Sequence, residues 1–370
     1  MNRQMHNRVI ISGGGTGGHV FPAISIANAL RRIDNEIGIL FVGADGRMEM
    51  EIVPREGYDI LGLPIAGFNR KNLIKNLFVL IRLMRSLIMA KKIIIDYKPD
   101  VVVGVGGYAS GPILKQAIRH KIPVLIQEQN SYAGITNKML GRDASIICVA
   151  YGGMEKYFPA EKIIKTGNPV RHTFDNIEKV KSEALSYFNL NDKLPVVLVL
   201  GGSLGAGSIN QSLSRNMRIM ADSQCQWLWQ TGKNYFDDVN ALVSASQATN
   251  IWVHGFIDRM DYAFSAADII ISRAGAGTIS ELCLVGKPVI LVPSPNVAED
   301  HQTKNAQALS SKDAAIMIPD NQVVEKLVPE TLALVSDIQR RKRLSENIVG
   351  MAERDSDIRI AEEVLKLIKE

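Results

Sequence analysis

Cysteine is scarce. Cys148, Cys225 and Cys283 are the only three in 370 residues, and their spacing matches neither a metal finger nor a paired disulfide framework. That excludes a small disulfide scaffold and a structural zinc, and points to a reduced, cytosolic protein. No charge-free apolar run is long enough to span a bilayer, and no apolar stretch with a small-residue cleavage site opens the chain, so neither a membrane span nor a signal peptide is expected. Charge of one sign does not dominate either. The 43 Lys and Arg against 38 Asp and Glu leave a formal +5, and the pI near 9.0 favours anionic partners without calling for nucleic acid. Asp355 and Asp357 have a divalent-ion spacing but no strand before them, and read as a solvated helix start, so no metal is expected.

What is present is a chain 46% hydrophobic and longer than one core usually organises, so two domains are expected. Near its start "VIISGGGTGGHVFPAIS", Val9 to Ser25, reads as a buried strand, a glycine turn and a helix with Pro22 in its first turn. Glycines let backbone approach an anion, and the unpaired N–H groups of a helix start attract one. Gly13, Gly15 and Gly18 also satisfy the dinucleotide fingerprint, which leaves a nicotinamide or flavin oxidoreductase open. That reading needs an acidic residue about twenty positions on, and Asp45 comes late for it.

The same strand, turn and helix recur from Val101, Val196 and Ile269. Each half also carries an Asp-led strand ("PDVVVG", "ADIIIS") followed by a Lys-led one ("KIPVLIQEQN", "GKPVILVPSPN"). Short apolar runs alternating with helices indicate an α/β protein of two doubly wound parallel sheets, with a seam near "TGNPVRHTF". Ligands of such sheets lie at the carboxyl ends of the strands, and two such edges facing each other would form a cleft for two substrates.

His19 follows the first glycine turn at a helix start, where positive partial charge disfavours imidazolium and keeps the ring able to accept a proton. In "SRAGAGTISE" Arg273 stands at a strand end, the turn amides suit a diphosphate, and Glu281 could accept hydrogen bonds from paired sugar hydroxyls. His301, Gln302 and Asn305 follow another strand, and amides suit sugar hydroxyls because they offer donor and acceptor together. Asn69 to Lys92 has helical apolar spacing, widened by Val79, Leu83 and Met89 and crowded by Arg70, Lys71, Lys75, Arg82, Arg85, Lys91 and Lys92. Such a helix fits both a core and an anionic membrane surface.

The motifs "GGGTGGHVFPA", "GVGGYASGP", "QEQNSYAGITNK", "GNPVR", "GGSLGA", "RAGAGTISE" and "EDHQTKNA" fall in order between Val9 and about Ala308. Together the chain resembles the N-acetylglucosaminyltransferases that complete the lipid-linked disaccharide of bacterial peptidoglycan. The resemblance implies a GT-B fold of two Rossmann-like domains with an interdomain cleft. Residues 1–168 would form the acceptor and membrane side, 169–344 would bind UDP-N-acetylglucosamine, and 345–370 would be a helix returning to the first domain. It implies metal- and cofactor-independent, inverting transfer to the 4-hydroxyl of a muramoyl-peptide on undecaprenyl diphosphate. The location implied is peripheral, at the cytoplasmic face of the inner membrane. His19 would be the base, assisted by Glu128. Donor contacts would come from Thr16, Gly17, Gly18, Asn130, Arg171, Ser203, Ile257, Arg273, Ala276, Gly277, Thr278, Ile279, Ser280, Glu281, Gln302 and Asn305. The acceptor would meet Gly14, Gly15, Gly104, Gly106, Gly107 and Tyr108. Gln127 stands where the family commonly has His, and Leu204 where Gln is usual. Two relations of this ligand chemistry compete: a UDP-N-acetylglucosamine 2-epimerase, which needs no lipid-facing helix, and a UDP-sugar sensor, which needs no His19.

Overall fold

The computed structural model describes residues 7–65, 73–170, 177–202, 205–295, 297 and 300–369. It resolves into two compact units, Met1–Val170 with Glu353–Glu370, and Arg171–Ala352.

In the first unit the described strands are β1 Arg8–Gly13, β2 Gly38–Ala44, β3 Asp59–Leu63, β4 Val101–Gly106, β5 Val124–Glu128, β6 Ile146–Val149 and β7 Ile163–Lys165. They pair in parallel in the order β3-β2-β1-β4-β5-β6-β7. Parallel sheets are covered on both faces, which is why β4 and β5 are buried along their whole length. Helices α1 Gly17–Ile33, α2 Glu49–Arg55, α3 Leu73–Tyr97, α4 Ser110–Arg119 and α5 Ile135–Gly141 supply the cover. Strand order reverses between β1 and β4, so their carboxyl ends flank the crevice where such sheets bind ligands. Ile10 pairs with Val102 in register, but the ladder shifts between Ser12 and Gly13 as the chain leaves the sheet.

Helix α1 begins earlier than the apolar spacing suggests. The N–H groups of His19 and Val20 both bond to Thr16 O, at 3.0 and 3.1 Å, so the first turn closes over the glycines. Pro22 therefore lies inside the helix rather than in its first turn, and with no N–H it cannot pair with the Gly18 carbonyl.

Helix α3 is apolar on two faces. Val79, Ala90, Ile93 and Ile94 are buried, while Leu80, Ile81, Met84, Ile88 and Ile95 are exposed, Met84 by 60% and Ile88 by 70%. Among the described residues no helix is long and apolar enough to cross a membrane.

The second unit repeats the design with β8 Val196–Leu200, β9 Gln226–Gln230, β10 Ile251–His254, β11 Ile269–Ser272, β12 Val289–Leu291 and β13 Ile316–Met317. Its parallel order is β10-β9-β8-β11-β12-β13, with the reversal between β8 and β11. The helices are α6 Lys181–Tyr187, α7 Gly207–Arg215, α8 Met217–Ala221, α9 Phe236–Ser246, α10 Met260–Ala266, α11 Ala276–Val285, α12 His301–Ser310, α13 Val323–Ser336 and α14 Ile338–Val349. Trp227 and Trp229 of β9 are wholly buried on one face, and their indole N–H groups donate to Ser223 Oγ and Asn210 Oδ1. Burying such a ring without that partner would forfeit much of the gain.

The segment from Leu344 onward is two helices, not one. Leu344 and Ile348 keep α14 in the core of the second unit, so residues 345–352 do not belong to the returning helix. The break ends at Asp355, whose φ of 54° no helix continues. Helix α15, Ser356–Lys369, then packs in the first unit through Ile360, Ala361, Val364 and Leu367, beside Ala23, Ala27 and Leu30 of α1. Asp357 is not solvated: it is 3% exposed and paired with Arg32 of α1.

Candidate active site

Two glycine turns and one imidazole converge at the β1/β4 reversal. Gly107 has φ +86°, and a Cβ there would run into the Gly14 carbonyl, so the turns pack backbone to backbone. At Gly106, φ +100°, a Cβ would lie 3.3 Å from His19 Cε1; the missing side chain is what lets the ring lie against β4. At Gly104 the missing Cβ makes room for Leu114 of α4. Tyr108, just beyond the turn, is 57% exposed.

Burial pushes the His19 pKa down to about 4, with the Glu49 carboxylate pulling the other way. Burial and not the helix start is the cause of this lowering, although part of the residue's surface stays accessible. His19 Nδ1 lies 3.0 Å from Gln129 Oε1. Gln129 Nε2 donates to Val105 O and to Gln127 Oε1, both at 2.7 Å. Gln127 Nε2 donates to Asn168 Oδ1 at 3.1 Å, and Asn168 Nδ2 to Gln129 O at 3.1 Å. All three amides are buried.

Two carboxylates hold the loops. Glu49, at the start of α2 and fully buried, accepts from the N–H of Gly15 at 2.9 Å and of Ala44 at 3.0 Å. The Gly15 amide thus turns inward, and Gly14 leaves space for the Glu49 side chain, so both glycines shape the turn. Thr16, Gly17 and Gly18 remain at the head of α1. Thr16 has the extended backbone of an N-cap, but its hydroxyl caps nothing, which leaves first-turn amides without a partner in the helix. Glu128, 2% exposed, accepts from the N–H of Asn130 at 3.0 Å and of Gly134 at 2.9 Å, and from Asn137 Nδ2 at 2.8 Å. Burial raises its pKa, opposed by those backbone donors. Its oxygens hold the 129–137 loop and with it Asn130. Sequence reading missed Glu49, Gln129 and Asn168; alternation along "QEQN" puts Gln127 and Gln129 on one face, which was the available signal for the amides.

In the second unit Arg273 and Ala276 to Glu281 follow β11, Ile257 follows β10, and Gln302 and Asn305 lie on α12. Arg273 ties the site together: Nη1 donates to Val292 O and Pro293 O, both at 3.2 Å, and to Asp320 Oδ1 at 2.6 Å, while Nη2 donates to Ser208 Oγ at 2.9 Å. It clamps the ends of β11 and β12 to α7. Helix α11 starts at Ala276 behind Gly275, and Gly277, Thr278, Ser280 and Glu281 keep partial exposure. Ile257 and Ile279 are core residues, 4% and 2% exposed, so only their main chains can serve a ligand. The Ile257 N–H already donates to Gln230 Oε1 at 3.0 Å. Gln302 Oε1 accepts from the Ser294 N–H at 2.9 Å. Asn305 is fully buried and donates to Ala274 O at 3.3 Å, so it supports the turn from beneath. Arg171, Ser203 and Leu204 lie outside the described residues.

Comparison with known proteins agrees with the fold. Residues 9–149 match the glycosyltransferase family 28 N-terminal domain, and 196–360 the family 28 C-terminal domain. The UDP-N-acetylglucosamine--N-acetylmuramyl-(pentapeptide) pyrophosphoryl-undecaprenol N-acetylglucosamine transferase of Parabacteroides distasonis is 55% identical over 361 residues, covering 98% of each chain. The protein of the same name from Bacteroides thetaiotaomicron is 56% identical over 362 residues, 97% of each. Among solved structures, MurG of Acinetobacter baumannii superposes with a TM-score of 0.78 at 27% identity, covering 97% of this chain and 99% of that one. A UDP-GlcNAc 2-epimerase from Neisseria meningitidis, at 15% identity and a TM-score of 0.66, shares the fold. The architecture is GT-B. The chain belongs to the family of UDP-N-acetylglucosamine--N-acetylmuramyl-(pentapeptide) pyrophosphoryl-undecaprenol N-acetylglucosamine transferases, within glycosyltransferase family 28.

Proposed function

We propose that this chain transfers N-acetylglucosamine from UDP-N-acetylglucosamine to the 4-hydroxyl of undecaprenyl-diphosphate-linked N-acetylmuramoyl-pentapeptide, with inversion at the anomeric carbon. The observation that carries the mechanism is His19, neutral and held at Nδ1 beside two glycine turns. Its Nε2 accepts the hydroxyl proton as the acceptor oxygen forms a bond to the anomeric carbon, the bond from that carbon to the β-phosphate oxygen breaks, and UDP departs with the electron pair. The amides of Thr16, Gly17 and Gly18 at the head of α1 meet a substrate phosphate. On the donor side the turn before α11 faces the diphosphate, Glu281 accepts from the ribose hydroxyls, and Thr278 and Gln302 bind the sugar. Each hydrogen bond to a charged group adds about 1.5–3 kcal/mol.

The acceptor's prenyl tether needs a membrane, and the exposed face of α3 supports peripheral attachment to an anionic one, on the cytoplasmic side. Leu80, Ile81, Met84 and Ile88 supply the apolar surface, with Arg82, Arg85, Lys91 and Lys92 exposed around it. Incubation with labelled UDP-N-acetylglucosamine and the lipid-linked muramoyl peptide tests the reading: label passes to the lipid as a β-linked sugar, one UDP per transfer. Label that remains in the nucleotide pool or returns as an epimerised sugar refutes it.

A further inference from the structure

We infer that Gln129 is a positioning residue: with Gln127 and Asn168 it forms a one-way amide chain that fixes His19 as the Nδ1–H tautomer and leaves the Nε2 lone pair for the acceptor hydroxyl. The inference rests on the proposed role of His19 as base. Amide orientation in such a chain is decided by groups that can only accept. The Val105 carbonyl is one, and it faces Gln129 Nε2 at 2.7 Å. Turning this amide over would set oxygen against oxygen there, so Nε2 must point at Val105. The second hydrogen of Nε2 goes to Gln127 Oε1, and the remaining oxygen, Oε1, faces His19.

The far end gives the same polarity independently. Asn168 Nδ2 donates to the Gln129 carbonyl, another fixed acceptor, so Asn168 Oδ1 must receive Gln127 Nε2. That in turn presents Gln127 Oε1 to Gln129. Two backbone carbonyls therefore orient every amide, and an oxygen that cannot donate is left 3.0 Å from His19 Nδ1. The proton of the neutral ring sits on Nδ1. No member of the chain itself titrates, so the polarity holds across the working pH range, and Gln127 is a member of it in its own right.

The test is nitrogen NMR on the full-length protein labelled at histidine, with the His19 signals assigned by their loss in His19→Asn. A protonated Nδ1 and an unprotonated Nε2 at neutral pH support the chain; a protonated Nε2 in the unaltered protein overturns it without any variant having to fold. Gln129→Met keeps the bulk and removes both amide functions. It should lower kcat at least about tenfold with both KM values within about twofold, and shift His19 toward mixed tautomers. Unchanged kcat together with an unchanged His19 spectrum overturns the proposal. Full turnover by His19→Asn overturns it from the other side, through the base assignment, even with the proton found on Nδ1.

Discussion

A proton acceptor that stays neutral down to about pH 4 has consequences for rate and for stability. The folded imidazole takes up its proton near pH 4, the unfolded one near 6.5. Between those values the unfolded chain binds more protons, so His19 makes stability fall as pH drops from 6.5 toward 4 and contributes nothing further below. Turnover should carry no His19 inflection near 6.5. The prediction is a kcat flat from about pH 5.5 to 8, with the loss of the base appearing only toward pH 4. A half-loss near 6.5 in a pH–rate profile contradicts it. His19 itself was legible because a histidine directly after a glycine turn stands at a helix start. Glu49 was not, since nothing in "RMEMEIV" shows that one glutamate will be buried under a turn 34 residues away. The protein partners of Glu128 and Arg273 were not legible, because a motif names a residue while the direction of its hydrogen bonds depends on which loops close over it.

At the level of the element, strands and glycine turns could be read directly, because β-branched runs buried on both faces have few alternatives to a parallel sheet. Helix ends were harder. Pro22 suggested a start that the Thr16 carbonyl overrides, and the continuous periodicity after Leu344 hid the break before Asp355. Helix α3 shows why pattern alone stops short: its apolar residues all sit at helical spacing, yet Ala90 and Ile94 are buried while Met84 and Ile88 face out. Near an anionic membrane each basic residue contributes about 1 kcal/mol. Reversing Arg82 and Arg85 to Glu should weaken co-sedimentation with phosphatidylglycerol vesicles by more than about tenfold and abolish its salt dependence. Both side chains are exposed, so the fold should survive. Unaltered vesicle binding would remove α3 from the membrane contact.

The whole molecule is one plan used twice. Each unit places glycine-bearing turns at the reversal of a parallel sheet, between β1 and β4 in one and between β8 and β11 in the other. Their chemistry differs because the first adds a buried histidine with its amide chain, and the second a helix start bearing Thr278, Ser280 and Glu281. If the base belongs to the first unit and the nucleotide to the second, the two functions separate by mutation. The measurement that tests this most directly is His19→Ala, followed by single-turnover transfer from a saturating donor and by calorimetric titration with UDP. Transfer should fall at least about 100-fold, the usual contribution of a positioned base, while UDP affinity stays within about twofold. A transfer rate near that of the unaltered enzyme, or a loss of UDP affinity as large as the loss of rate, would contradict the account.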